Sequence, residues 1–436
     1  MRFYRSDYVI WFKQMNVSAK KIVRTYVSLT LLSTFASSFI WGINTLFLLD
    51  AGLSITEAFG ANAFFTVGQV LFEIPTGVVA DTRGRRTSFL LGTATLFVTT
   101  LLYLWLWDIK GPFWAWALVS ALLGLGFTFF SGATEAWLVD GLKASGYEGE
   151  LDLVFAKGSI AGGIAMLTGT VAGGVIAQYT NLGVPYVMRI AAIAITFLLA
   201  FFLMHDDGFK AKKGASLRAE IGDVVSGSIE FGYRSAPIRW MMLAGLFSGG
   251  VGIFGFYAMQ PYLLELYGDP NSYAVAGGSA AIVAGAQIVG GLLVPHASRI
   301  FRRRTSLLIS GVVVSAAALL VIGLVGNFWL VLIFLAFWAV AWSAAIPVRQ
   351  AYVNGIVPSE QRATVLSADN LLGSLGGVFS QPCLGRVAEV WGYPASYLAT
   401  SSLQFLAVPF IFLARREKAK SDPIVDGKIV NVSPKG

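Results

Sequence analysis

Four ionisable side chains, Glu73, Glu135, Arg349 and Asp369, lie in or at the ends of long apolar runs. A charge in hydrocarbon costs a few kcal/mol or more, so each of them needs a partner or a task. For a carboxylate in that setting the task is reversible protonation. A second charged group is the turn Gly77 to Ser88, GVVADTRGRRTS, in which Asp81 lies four residues before Arg85, with Arg83 and Arg86 alongside. Gly77 and Gly84 permit a tight turn and close backbone approach. Charges placed where one apolar run stops and the next begins describe a cytoplasmic hairpin. Other chemistries lack their residues. Two histidines, His205 and His296, have no companion ligand spacing, and one cysteine, Cys383, excludes an intrachain disulfide and a cysteine-based metal site. No glycine-rich loop with lysine for ATP is present, so no cofactor or nucleotide drive is expected. A membrane enzyme would need a clustered metal site or a nucleophile with its base, and neither is found.

The elements that position these charges are membrane spans. Of 436 residues, 56% are hydrophobic and 13% charged, against roughly 25% charged in a soluble chain. The net charge of +8 is read as retention of cytoplasmic loops, not as nucleic-acid binding. Twelve segments are long and apolar enough to span: 24–48, 57–80, 87–107, 112–138, 154–178, 183–204, 240–264, 274–297, 305–325, 328–348, 363–388 and 394–414. All but three of the 32 Lys and Arg (Lys110, Arg189 and Arg386) fall on one side if both termini are cytoplasmic, which fixes the orientation and an even span count. The basic, polar N-terminus has no cleavable signal pattern. Arg189 and Arg386 are expected to snorkel or pair at outer helix ends, and Asp50 to be a solvated loop acid. Trp114 and Trp116 are expected in the interfacial aromatic belt.

Internal repeats divide the chain. RRTS at 85–88 recurs at 303–306, TEAWLVDG at 134–141 aligns with VRQAYVNG at 348–355, and GTVAGG at 169–174 with QPCLGR at 381–386. The second match pairs Glu135 with Arg349. Residues 1–204 and 240–436 are therefore read as two six-helix bundles related by a pseudo-two-fold axis. The joining stretch 205–239 has an amphipathic helix over 216–234. The fold class is all-α and polytopic.

With these features the chain resembles the major facilitator superfamily over essentially its whole length. The family signature G-x-x-x-D-x-x-G-R-[KR] is filled by Gly77, Asp81, Gly84, Arg85 and Arg86. The resemblance implies a latch that joins the halves when the cytoplasmic side is closed. Asp81 would then face the N-terminus of the eleventh span, and Arg85 would pair with Asp140. The antiporter motif of the fifth span is partial: Gly169, Gly173 and Gly174 match, while Thr170 replaces its proline. The proton-coupling arginine of the fourth span is absent, since Ser120 stands before Gly124 and Gly126. FEIPTGVVAD (72–81) and RATVLS (362–367) look like bacterial efflux-type members.

The resemblance also places the fourth and tenth spans along a central cavity. Glu135 and Arg349 would then form an inter-half bridge at the cytoplasmic gate, or each would pair within its own half, Arg349 with Asp369. Asp369 either protonates during the cycle or is a helix N-terminal acid held by the dipole. Glu73 either lines the interface as a proton site or is hydrogen-bonded into the latch. Trp41 and Asn44, Phe127 and Phe130, Phe254, Tyr257 and Gln260, with Trp338 and Trp342, are the candidate substrate pocket. Such apolar and aromatic walls suit a lipophilic or amphipathic ligand, or a cation. The expected function is proton-coupled efflux of a small organic compound, a drug or metabolite, by alternating access. The protein would act as a monomer in the cytoplasmic (inner) membrane, with protons and the bilayer as its other partners. A nutrient symporter or a non-transporting sensor on the same fold are the alternatives.

Overall fold

The computed structural model describes residues 16–211, 222, 226, 234–357 and 362–424, so most of the expected 216–234 helix lies outside the described residues. It is helical throughout its spans. These are α1 (Val17–Trp41), α2 (Asn44–Asp50), α3 (Ile55–Arg83), α4 (Arg85–Asp108), α5 (Phe113–Thr128), α6 (Ala133–Ala144), α7 (Leu151–Tyr179) and α8 (Val184–Leu203) in the first half. The second half has α9 (Ala236–Tyr267), α10 (Tyr273–Ile300), α11 (Arg304–Leu324), α12 (Phe328–Asn354), α13 (Arg362–Phe405) and α14 (Ala407–Arg416). The pair α1–α2 is one span bent by 48°. The run from α5 through α6 is one span interrupted at residues 129–132, with Gly132 left-handed at φ 65°. Gly392, at φ 85°, breaks the long α13 into two crossings. Counted so, the described residues cross twelve times, as two six-helix bundles.

Local sequence sets the ends of these helices. Ser54 and Glu57 form a reciprocal capping box at the start of α3. Asn327 caps α12 by accepting from Leu330 N at 3.1 Å. One residue, Gly84 at φ 105°, makes the whole turn from α3 to α4. Large apolar side chains such as Leu71, Trp105, Ile160, Leu292 and Phe379 are exposed around the outside, as expected of a surface facing lipid tails. Trp114 joins them at 69% exposure, but Trp116 is fully buried and donates its indole N–H to Gly111 O at 3.1 Å. The belt expectation therefore fails for Trp116, two positions on from Trp114 and so on another face of α5, turned toward Phe47 and Tyr103.

The two halves meet through α3 against α13 and α7 against α10, the pairings a pseudo-two-fold axis requires. Their joining bonds cluster at the far end, opposite the linker between the halves. Gln260 accepts from Thr45 N at 2.9 Å and donates to Trp41 O at 2.7 Å, capturing the bend between α1 and α2. Thr45 Oγ1 donates to Tyr257 O at 3.0 Å, and Thr56 N to Glu389 Oε2 at 2.8 Å. Gly174 and Gly277 bring α7 and α10 together so closely that a Cβ on Gly277 would lie 2.8 Å from Thr170 O and 2.9 Å from Gly174 Cα. We therefore expect Gly277→Ala to pry the far end apart. Overpacking of this kind costs ~1–3 kcal/mol, so a cysteine reporter at Asn271 should label several-fold faster with an impermeant thiol reagent than in the parent. Unchanged labelling would mean that the far-end contact is not sterically limiting.

Candidate functional site

Two ion pairs at the linker end each lie within one half. Arg349 of α12 forms a two-pronged pair with Asp369 of α13, Nε to Oδ2 at 3.1 Å and Nη2 to Oδ1 at 2.5 Å. The same Nη2 donates to Met241 O of α9 at 2.9 Å, so three helices are tied through one guanidinium. The inter-half bridge from Glu135 to Arg349 is not formed, because Arg349 is committed to its own half and the halves meet at the opposite end. Asp369 is mostly buried. It sits two turns into α13, so its partner is Arg349 and not the helix N-terminus.

Glu135 stands in the first turn of α6, just past the break at 129–132. It reaches a 240 Å³ cavity in the first half that also touches Thr30, Ser37, Trp41, Phe127 and Phe130. A carboxylate in the first turn of an interrupted span is favoured by the helix dipole and leaves its backbone free to line a cavity. Glu73 of α3 accepts from Ser131 Oγ at 2.6 Å, in that same break. It is fastened to the fourth span and not to the latch. A 410 Å³ cavity in the second half is lined by Trp342, Arg349, Asp369, Asn370, Ser315 and Gln404 among others.

The latch residues are disengaged. Arg85 pairs with Asp81 one turn earlier, at 2.5 Å, rather than with Asp140. Arg86 donates its backbone N–H to Asp206 Oδ1 at 2.9 Å and its guanidinium to Phe201 O at 2.8 Å. Asp206 thus caps α4, and Asp422 caps α11 in the other half by accepting from Thr305 N at 2.9 Å. Sequence reasoning passed over both acids. The signal was there: each follows the last span of its half by a few residues.

The aromatic candidates divide. Trp41 and Trp342 line cavities. Trp338 is buried in the second-half core, stacked on Trp342 with centroids 6.2 Å apart. Phe254 packs on Phe59 at 4.7 Å across the halves, and Asn44, Tyr257 and Gln260 belong to the closed far end. Arg189 departs from expectation: it is 1% exposed, inside α8, where Nε donates to Thr100 Oγ1 at 3.2 Å. It does not snorkel, because it lies more than a turn inside the span with its head toward the bundle axis. Arg386 does pair at its helix end, with Glu389 at 2.7 Å, and Asp50 accepts from Trp107 Nε1 at 2.6 Å. The far face also holds a 580 Å³ vestibule lined by Asp50, Glu265 and Asn271. Beside it the Ser272 hydroxyl, then the Asn271 backbone N–H, hold the Asp269 carboxyl below the usual range. Among the described residues no cluster of His, Cys, Asp and Glu could hold a metal ion.

Two bundles with a cavity in each, bonded to one another at the far end, are the architecture of a multi-pass membrane transporter of small molecules. The chain belongs to the Major Facilitator Superfamily: residues 26–302 and 272–433 match that family. It is similar to the multidrug resistance protein MdtG of Salmonella dublin, 23% identical over 332 residues, covering 75% of this chain and 77% of that one. Its fold is similar to that of the nucleoside transporter NupG, with TM-score 0.73 and 13% identity over 91% of this chain and 99% of the other. The inward-open xylose transporter XylE from E. coli gives TM-score 0.69 at 14% identity, covering 94% and 98%.

Removing one partner of a pair this buried leaves an uncompensated charge, at a cost on the order of 3 kcal/mol. Asp369→Asn and Arg349→Gln should each lower the melting temperature, and the double variant should recover part of the loss. Strictly additive losses would show that the two residues do not act as a pair.

Proposed function

We propose that the protein is a proton-coupled secondary transporter that exports a small lipophilic or amphipathic organic compound by alternating access. The observation that carries this reading is the asymmetry of contact: the halves are bonded at the far end, while at the linker end Asp81 pairs with Arg85 and Asp369 with Arg349, each within its own half. The distribution of Lys and Arg favours a cytoplasmic linker end. The conformation is then one that faces the cytoplasm, in the inner membrane, with both termini inside and a monomer as the working unit. Residues 1–204 and 240–436 act as the two moving bodies.

In the return step the linker ends approach. Asp81 exchanges Arg85 for the N-terminus of α13, and Arg85 turns to Asp140. Glu135 and Arg349, related by the repeat, approach across the closing gate. Protonation of Glu135 removes the charge that holds it in an aqueous cavity, and protonation of Asp369 releases Arg349 from its own half. Each event changes which half-to-half contact is stable, as coupling demands. The cavities, with Trp41, Phe127, Phe130 and Trp342 beside a few hydroxyls, suit an amphipathic cargo. Similarity to MdtG, named for multidrug resistance, supports export. A second reading, import by symport, draws on the fold likeness to NupG and XylE, named for nucleoside and xylose transport.

A compound panel tested in proteoliposomes under an imposed pH gradient decides between them. Glu135→Gln should lose proton-driven flux roughly 5- to 150-fold, the usual span of a coupling free energy, while substrate exchange without a gradient persists. Glu73→Gln, which keeps a hydrogen bond with Ser131, should lose less. If both variants match the parent, these carboxylates are not the proton sites.

A further inference from the structure

Arg189 is a buried cation without a counter-charge. Its Nη2 has no hydrogen-bond partner, and among the described residues no carboxylate pairs with it. The groups within electrostatic reach are three tyrosine hydroxyls: Tyr103 and Tyr186 of its own half, and Tyr257 of the other. Tyr186 donates to Asn44 Oδ1 at 3.0 Å, and Asn44 donates to Asn62 Oδ1 at 3.0 Å. Asn62 Nδ2, at the end of this chain of bonds, is also buried without a partner. Arg189 and the Tyr186–Asn44–Asn62 chain are thus electrostatic neighbours, each with an orphaned buried donor, and one of the two donors is charged. Leaving a guanidinium so costs several kcal/mol unless something negative completes it.

The cluster lies between the two places where a solute could be. Ile193 and Thr196, one and two turns along α8, line the 240 Å³ cavity of the first half, as does Leu96, one turn before Thr100. On the other side Tyr257 of the second half lies within electrostatic reach of Arg189, its backbone held by the bond from Thr45 Oγ1 to its carbonyl. The walls are aromatic: Phe47 stacks on Tyr186 with centroids 3.9 Å apart, and Trp116 lies edge-on to Tyr103 at 5.0 Å.

We infer that Arg189, with Asn62 at the end of the neighbouring chain of bonds, is an anion site, taking a compact anionic group such as a carboxylate or halide when Tyr257 withdraws with the second half. The inference rests on the alternating-access reading, since it is the parting of the far ends that opens the cluster. A guanidinium with a free Nη presents its N–H groups to such a group. The aromatic walls select a group attached to a flat apolar body, or a bare ion small enough to enter. The cavity below lets the rest of a bound molecule extend along α8 toward Thr196.

The test uses the full chain in lipid nanodiscs and its Gly277→Ala variant, in which the far end is loosened. Sodium benzoate, sodium chloride and neutral benzamide are titrated at constant ionic strength with a bulky sulfonate as background. The readouts are tryptophan fluorescence, to which Trp107 and Trp116 contribute, and the melting temperature. The expected result is a saturable response to benzoate or chloride and none to benzamide. Saturation by benzoate alone identifies the anionic group of an organic cargo, and saturation by chloride identifies a resident inorganic ion. Arg189→Gln should weaken the anion response on the order of ten- to a hundred-fold, the loss expected of a charge-assisted bond, with Arg189→Lys intermediate. Asn62→Ala tests the site should the arginine variant not fold, and should weaken binding severalfold. Equal responses to benzamide and benzoate, an undiminished response in Arg189→Gln or Asn62→Ala, or no anion response in Gly277→Ala would each overturn the site. Because binding is read without transport, such a failure leaves the export reading intact, whereas a far end that never opens would defeat both.

Discussion

The contact on which everything else depends is the closure of the far end around the α1–α2 bend. Gln260 enters that bend from the second half and satisfies two backbone groups that the break in the helix leaves open, Thr45 N and Trp41 O. Beside it α7 and α10 approach to the distance only glycine permits, at Gly174 and Gly277. Such an interface has no charge pair that must be broken in lipid. It consists of backbone contacts and a few neutral hydrogen bonds, each worth about 1 kcal/mol net, with one bond from Thr56 N to the Glu389 carboxylate at its rim. A gate built this way is firm enough to seal and weak enough to open.

The opposite end is organised by the complementary rule. Its charges are numerous, and each half satisfies its own: Asp81 with Arg85, Asp369 with Arg349, Asp206 on α4 and Asp422 on α11. Bodies whose linker-end ion pairs are internal can part into water there without breaking those pairs. On the cycle proposed above they exchange partners when they meet. The cap acids show the same device placed in both halves, although the full glycine-acid-arginine turn is present only in the first.

Much of this was legible in the sequence because it is periodic or punctuated. The apolar runs and the Gly77–Arg86 turn reappear in the structure as helices and a one-residue turn, since apolar length and glycine-plus-charge turns act locally. The reading of Arg349 with Asp369 was available as one of two pairings; only the arrangement of helices chose it. What failed were positions decided by rotation about a helix axis. Trp116 and Arg189 lie near span ends, where belts and snorkelling are the rule, yet each faces the bundle interior. No single-sequence pattern states which face of an all-apolar helix turns inward, because the stripe that would mark it is missing. Asp206 and Asp422 were missed for another reason, as their partners are backbone N–H groups more than a hundred residues away.

On the reading proposed, the two ends of the molecule open in antiphase under the control of protonation at Glu135 and Asp369. Pulsed electron resonance distances between spin labels test it directly, using Asp108→Cys with Asn271→Cys at the far end and Lys143→Cys with Arg299→Cys at the linker end, in a Cys383→Ser background. On Glu135→Gln, which mimics the protonated carboxyl, the far-end distance should lengthen as the linker-end distance shortens. Distances that lengthen together, or a far end that stays closed under every condition while transport proceeds, would contradict it.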